Sequence, residues 1–145
     1  MSSGTGKLYT VEVLALATSL AEWPLDETMP LRGEARSATC GSTIAMSLAT
    51  DSEGRIQRLG MAPLACAIGQ ASATIFARSA VGKSRVEIDE ALTALADWLA
   101  GNGPMPDWPG IDALAPARAY PARHGAILLA WRAVLDALPL TAPAS

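Results

Sequence analysis

Three short segments separated by turn signals, followed by a change of hydrophobic period, narrow the folds open to this chain. Arg32 to Thr39, Thr43 to Thr50 and Arg55 to Met61 are the segments. Cys40-Gly41-Ser42 parts the first two and Asp51-Ser52-Glu53-Gly54 the second two. Ile44, Met46 and Leu48 alternate with smaller residues, as on a half-buried strand. The spacing predicts an antiparallel meander of three strands, the first of them poor in apolar residues. From Cys66 the period becomes helical, with Ile68, Ala71, Ser72, Ile75, Phe76 and Ser79 on one stripe up to Ala80. Gly69, Ala71, Ser72 and Ala73 are small enough for this helix to lie close to the sheet.

Helices flank this core pattern. Tyr9 to Trp23 carries Val13, Leu16, Ala17 and Leu20 at helical spacing, with Thr10 as a cap and Pro24 as a stop. Ser84-Arg85-Val86-Glu87 is a capping box opening a helix that buries Ile88, Ala91, Leu92, Leu95 and Leu99. A last helix from Ala122 to Leu138 turns Ile127, Trp131, Val134, Leu135 and Leu138 inward. Between these two, residues 101–116 are rich in proline and glycine and read as a loop with at most a short turn near Ile111 to Leu114, either an ordered excursion or a linker, with composition slightly favouring the linker. The tail after residue 139 is expected to be disordered. Strands in one run and helices in another give an α+β class, with a three-stranded antiparallel sheet and helices packed on one face.

At 145 residues the chain fits one domain, residues 1–145, large enough to fold without a disulfide or metal staple. Only 17% of residues are charged and the net charge is −3, with the basic residues scattered, so no nucleic-acid-binding face is expected. No apolar run reaches the length of a membrane span, and no secretory signal pattern opens the sequence. The expectation is a cytoplasmic protein with reduced thiols.

Two phosphate-loop imitations carry little weight. Val81-Gly82-Lys83-Ser84 lacks the required glycine, which is Ala77 here, and follows a helix rather than a strand. Gly4-Thr5-Gly6-Lys7 has no strand ahead of it. There is no Gly-x-Ser-x-Gly elbow, and His124 is the single histidine, so a Cys–His hydrolase finds no orienting motif. Cys66 opens a predicted helix, where the helix dipole favours a thiolate. Cys40 falls on a predicted turn. Read alone, either cysteine serves equally as a small buried hydrophobe and His124 as a solvated residue at a helix start.

The stretch Arg32 to Ser42, with Cys40 in Ala38-Thr39-Cys40-Gly41-Ser42, resembles the first-ligand segment of the U-type iron–sulfur scaffolds, the NifU-like, IscU-like and SufU-like proteins. Leu64-Ala65-Cys66-Ala67-Ile68-Gly69-Gln70-Ala71-Ser72-Ala73 resembles the second, and Gly82-Lys83 the end of the helix that follows it. The cysteines stand 26 positions apart, in keeping with that family's pattern. The proline- and glycine-rich excursion resembles the insertion of the SufU-like branch, and the likeness runs from about Tyr9 to Leu138.

The resemblance implies a SufE/NifU-like fold and a protein without independent turnover, not an enzyme. Such a protein accepts sulfur from a cysteine desulfurase, assembles an iron–sulfur cluster and passes it on. It implies ligation by three cysteines and an aspartate, sometimes with a histidine, and zinc in the same place. Here the aspartate position is Ser42 and the third cysteine position is Gly125, neither of which is expected to ligate. Cys40 and Cys66, joined by His124, are the expected metal or cluster ligands. The expected cargo is zinc or an iron–sulfur cluster, held weakly, or none. A homodimer is open, since two copies would supply four thiolates. The alternative is a degenerate relative acting as an interaction or regulatory domain without metal chemistry.

Overall fold

The computed structural model describes residues 8–38 and 41–139. Three strands, β1 (Leu31–Arg36), β2 (Thr43–Thr50) and β3 (Ile56–Leu64), form an antiparallel sheet in the order β1-β2-β3. The register sets Gly33 opposite Met46 and Met46 opposite Met61, so these three residues share one face. Ile44, Met46, Leu48, Leu59 and Met61 on that face are buried. On the other face Arg32, Glu34, Arg36, Ala62 and Leu64 are exposed, Leu64 at 77%. The apolar face is turned to the helices as predicted, while Ser47 and Gly60 on the opposite face are buried against the Pro24–Asp26 segment. β3 continues through Pro63 beyond the predicted end at Met61, because an edge strand tolerates a missing N–H.

Among the described residues, four α-helices follow these rules: α1 (Val11–Ser19), α2 (Ala67–Ala80), α3 (Arg85–Leu99) and α4 (His124–Ala137). Thr10 caps α1 by accepting from the Val13 N–H at 3.1 Å, and a 3-10 turn, Leu20–Glu22, leads out before Pro24. Ser84 and Glu87 form the predicted capping box of α3 in both directions. α4 lies on β1 and β2, where Gly33 lets its backbone come close. A Cβ at residue 33 would sit 2.3 Å from the Ala133 carbonyl oxygen. The Asp136 carboxylate at the end of α4 accepts from the Glu34 N–H on edge strand β1, at 2.9 Å. That satisfies a donor which would otherwise template pairing with another chain.

α2 is buried nearly all round rather than along one stripe. Ser72 Oγ donates to the Ile127 carbonyl at 2.6 Å, and Thr74 Oγ1 donates to the Leu16 carbonyl at 2.7 Å. These bonds hold α4 on one flank and α1 on the other. The third neighbour is the proline- and glycine-rich segment. It is not a linker: Trp108, 7% exposed, stacks on Phe76 with ring centroids 5.5 Å apart. Its indole N–H donates to the Ile75 carbonyl at 2.9 Å. The predicted short turn extends into a 3-10 helix over Ile111–Ala119, with Ile111 and Leu114 in the core. A further 3-10 turn, Pro121–Arg123, leads into α4.

Candidate functional site

Cys66 occupies the N-cap of α2 with extended backbone (φ −66°, ψ 170°), and its carbonyl accepts the first helical bond from the Gln70 N–H at 2.9 Å. Its side chain does not take part in capping, so the thiol is left for other partners. The side chain is half-buried and packs against the core. Gln70 Nε2 donates back to the Ala65 carbonyl at 2.9 Å, fixing the turn that enters the helix.

The register of the sheet brings a second segment to this end. Thr43 pairs with Leu64, so Ser42 and Cys66 lie just beyond a shared rung of the ladder. The Ser37 N–H donates to the Ser42 carbonyl at 2.8 Å and closes the connection between β1 and β2. Ser42 is buried, at 6% exposure. Cys40 falls within that connection in the sequence and, with Thr39, lies outside the described residues.

The start of α4 supplies a third segment. A Cβ at Gly69 would lie 3.3 Å from Ala126 Cβ, so the first turns of α2 and α4 are in contact. The pairs Ser72–Ile127 and Phe76–Trp131, the latter with centroids 5.1 Å apart, follow in the same order. α2 and α4 therefore run side by side in one direction, with Cys66 at the start of one and His124-Gly125 at the start of the other. His124 Nε2 is 3.1 Å from the Arg118 carbonyl oxygen. Among the described residues no three His, Cys, Asp or Glu side chains converge in a group able to hold a metal ion.

An apolar cleft of about 440 Å³, lined by Ala17, Leu20, Pro24, Met61, Pro63 and Gln70, opens beside the first turn of α2. A second cleft of about 410 Å³ lies between α3 and the excursion, against Lys83, Glu87, Glu90 and Trp108, and involves none of the expected ligands. Arg118 is not legible as a site residue from sequence, because a main-chain acceptor leaves no residue signature.

No protein-family model and no curated protein matches the chain. Solved structures do. A NifU-like protein (N-terminal part) from Brucella abortus is 29% identical over 93% of this chain and 94% of its own, with a TM-score of 0.83. A protein from the thermophile Fervidobacterium islandicum, described as an iron–sulfur cluster assembly scaffold for the SUF system, is 20% identical. It covers 92% of this chain and 98% of its own, with a TM-score of 0.74, a likeness of fold. The resemblance to the U-type scaffolds read from the sequence stands, as does the α+β fold it implied.

Proposed function

We infer that this chain is a U-type scaffold-family protein acting as a scaffold, or a sulfur and metal carrier, in iron–sulfur cluster assembly. The observation that carries this reading is the likeness to the NifU-like structure at a TM-score of 0.83 over 93% of the chain. The common origin of α2 and α4 beside the closed end of the β1–β2 connection supports it. In this reading Cys40, Cys66 and His124 hold the cargo, a cysteine desulfurase donates sulfur, and the protein works in the cytoplasm without turnover of its own. No helix among the described residues is long and apolar enough to cross a membrane.

The donors bound what the cargo can be. Two thiolates and an imidazole suit zinc and leave one of its four positions open. A [2Fe–2S] cluster takes four ligands, mostly thiolates, so one chain falls short. Two chains about a two-fold axis would supply Cys40 and Cys66 twice. The second reading is an interaction or regulatory domain without metal chemistry. It is favoured by Ser42 and Gly125 at the family's ligand positions.

Purification without oxygen, followed by metal, sulfide and mass analysis, separates the two. The carrier reading expects bound zinc or iron that Cys40→Ala and Cys66→Ala abolish and that Ser42→Asp with Gly125→Cys tightens. A protein free of metal and sulfide under every loading condition supports the interaction domain instead.

A further inference from the structure

We infer that Arg118 is a positioning residue: its carbonyl selects the His124 tautomer that carries the proton on Nε2, leaving Nδ1 as the nitrogen able to bind cargo. This deepens the carrier reading and rests on it only for what Nδ1 binds. A carbonyl oxygen accepts and never donates. The 3.1 Å contact between His124 Nε2 and the Arg118 oxygen is therefore a hydrogen bond only when Nε2 carries the hydrogen. In the neutral ring Nδ1 is then the bare lone pair. A backbone carbonyl holding one ring N–H is the usual way to orient a ligating histidine and fix its tautomer.

The carbonyl is itself held in place. The Arg118 guanidinium stacks over the Trp98 ring with 4.9 Å to the centroid, and its Nε donates to the Trp98 carbonyl at 3.0 Å. Trp98 is buried in the last turn of α3. The 3-10 helix that ends the excursion, seated in the core through Leu114 and Ala117, is thus also tied to α3 by the Arg118 side chain, one 3-10 turn before α4 begins. The Tyr120 N–H to Ala117 and Arg123 N–H to Tyr120 bonds, at 2.9 and 2.8 Å, carry the rigid path from Arg118 to His124. Arg118 is exposed at the surface, so removing its side chain opens no cavity in the core.

His124 is the single histidine in the chain, so its ring nitrogens are the whole imidazole spectrum. Long-range ¹H–¹⁵N correlation on the metal-free protein, with the ring neutral, reads the tautomer directly. The wild type is expected to show the Nε2–H form. Arg118→Ala is expected to shift it toward a mixture with the Nδ1–H form, with Arg118→Lys between the two because it keeps the cation over Trp98 and loses the Nε donor. Zinc affinity in Arg118→Ala is expected to fall roughly 10- to 100-fold, as for the loss of a ligand-orienting partner. A wild-type ring in the Nδ1–H form, or an Arg118→Ala tautomer identical to wild type, overturns the inference. If the tautomer behaves as described while His124→Ala leaves zinc binding untouched, the positioning stands and the carrier reading loses its histidine. Circular dichroism of each variant separates these outcomes from unfolding, which would abolish the contact in both arginine variants alike.

Discussion

Gly33→Ala tests whether α4 is seated on β1 as closely as the backbone implies. The added Cβ would meet the Ala133 carbonyl oxygen at 2.3 Å, the Ala137 nitrogen at 2.7 Å and Ala137 Cβ at 2.8 Å. Two of the three are backbone atoms, so no side chain can turn aside. Contacts under 3.0 Å are essentially never seen for a real Cβ, so helix and strand must part by at least about 0.7 Å. That movement also stretches the 2.9 Å bond from the Glu34 N–H to Asp136. Overpacking of this kind costs roughly 1–3 kcal/mol, and a rigid backbone obstacle belongs at the upper end. At about 3 kcal/mol, and roughly 2–4 °C per kcal/mol for a domain near this size, Tm should drop by about 6–12 °C. The control is Gly103→Ala, whose Cβ meets only Asp97 Cβ at 3.4 Å and should stay within about 0.5 kcal/mol. Thermal melting followed by far-ultraviolet circular dichroism checks both. A Gly33→Ala protein melting within about 2 °C of wild type would mean that α4 does not rest on β1 at Gly33.

Two further outcomes follow from single contacts. Trp108→Ala removes a stacked, buried indole and its bond to Ile75 and should cost about 3–5 kcal/mol, read as a shift in the urea midpoint; a linker tryptophan would leave the midpoint unchanged. The Glu87 carboxylate is held below its ordinary range chiefly by the Ser84 backbone N–H, with further help from the Arg55 guanidinium. A carboxylate lowered in the folded state stabilises above its unfolded pKa, and that stability is lost as pH falls through the folded value. Wild type should therefore lose this contribution on acidification from about pH 4.5 downward, and Glu87→Gln should remove that part of the slope; identical pH–stability curves for the two would refute the assignment.

Local rules made much of the fold legible. The alternation in β2, the Thr10 cap and the Ser84–Glu87 box depend on residues within a few positions of each other, and all are present. What escaped depends on distant partners. α2 reads as one-sided because its own sequence cannot reveal that Leu16, Ile127 and Trp108 arrive from three separate segments to cover it. The same holds for the excursion: its prolines and glycines signal irregular backbone, and irregular backbone is compatible with a buried anchor such as Trp108. Proline composition alone weighs against a strand through Pro63, yet β3 stands at the sheet edge, where the missing N–H breaks no ladder bond.

The candidate site divides along the same line. Its framework is set by contacts outside the expected ligands, among them Gln70 to the Ala65 carbonyl and Ser72 to the Ile127 carbonyl. Ser42 closes its connection through a backbone carbonyl, and Gly125 stands in the first turn of α4 beside Ala126, which meets Gly69. The Ser42 contact to Ser37 is made by the backbone carbonyl, so that contact does not by itself demand a particular side chain at residue 42. The helix that Cys66 starts is likewise capped through its backbone and not its thiol, while the side chain packs against the core. A metal-free Ser42→Asp, Gly125→Cys protein should melt below wild type, because a carboxylate replaces a hydroxyl at a buried position, and zinc should restore Tm by ligating it; a Tm that zinc does not raise would refute the proposed ligand positions.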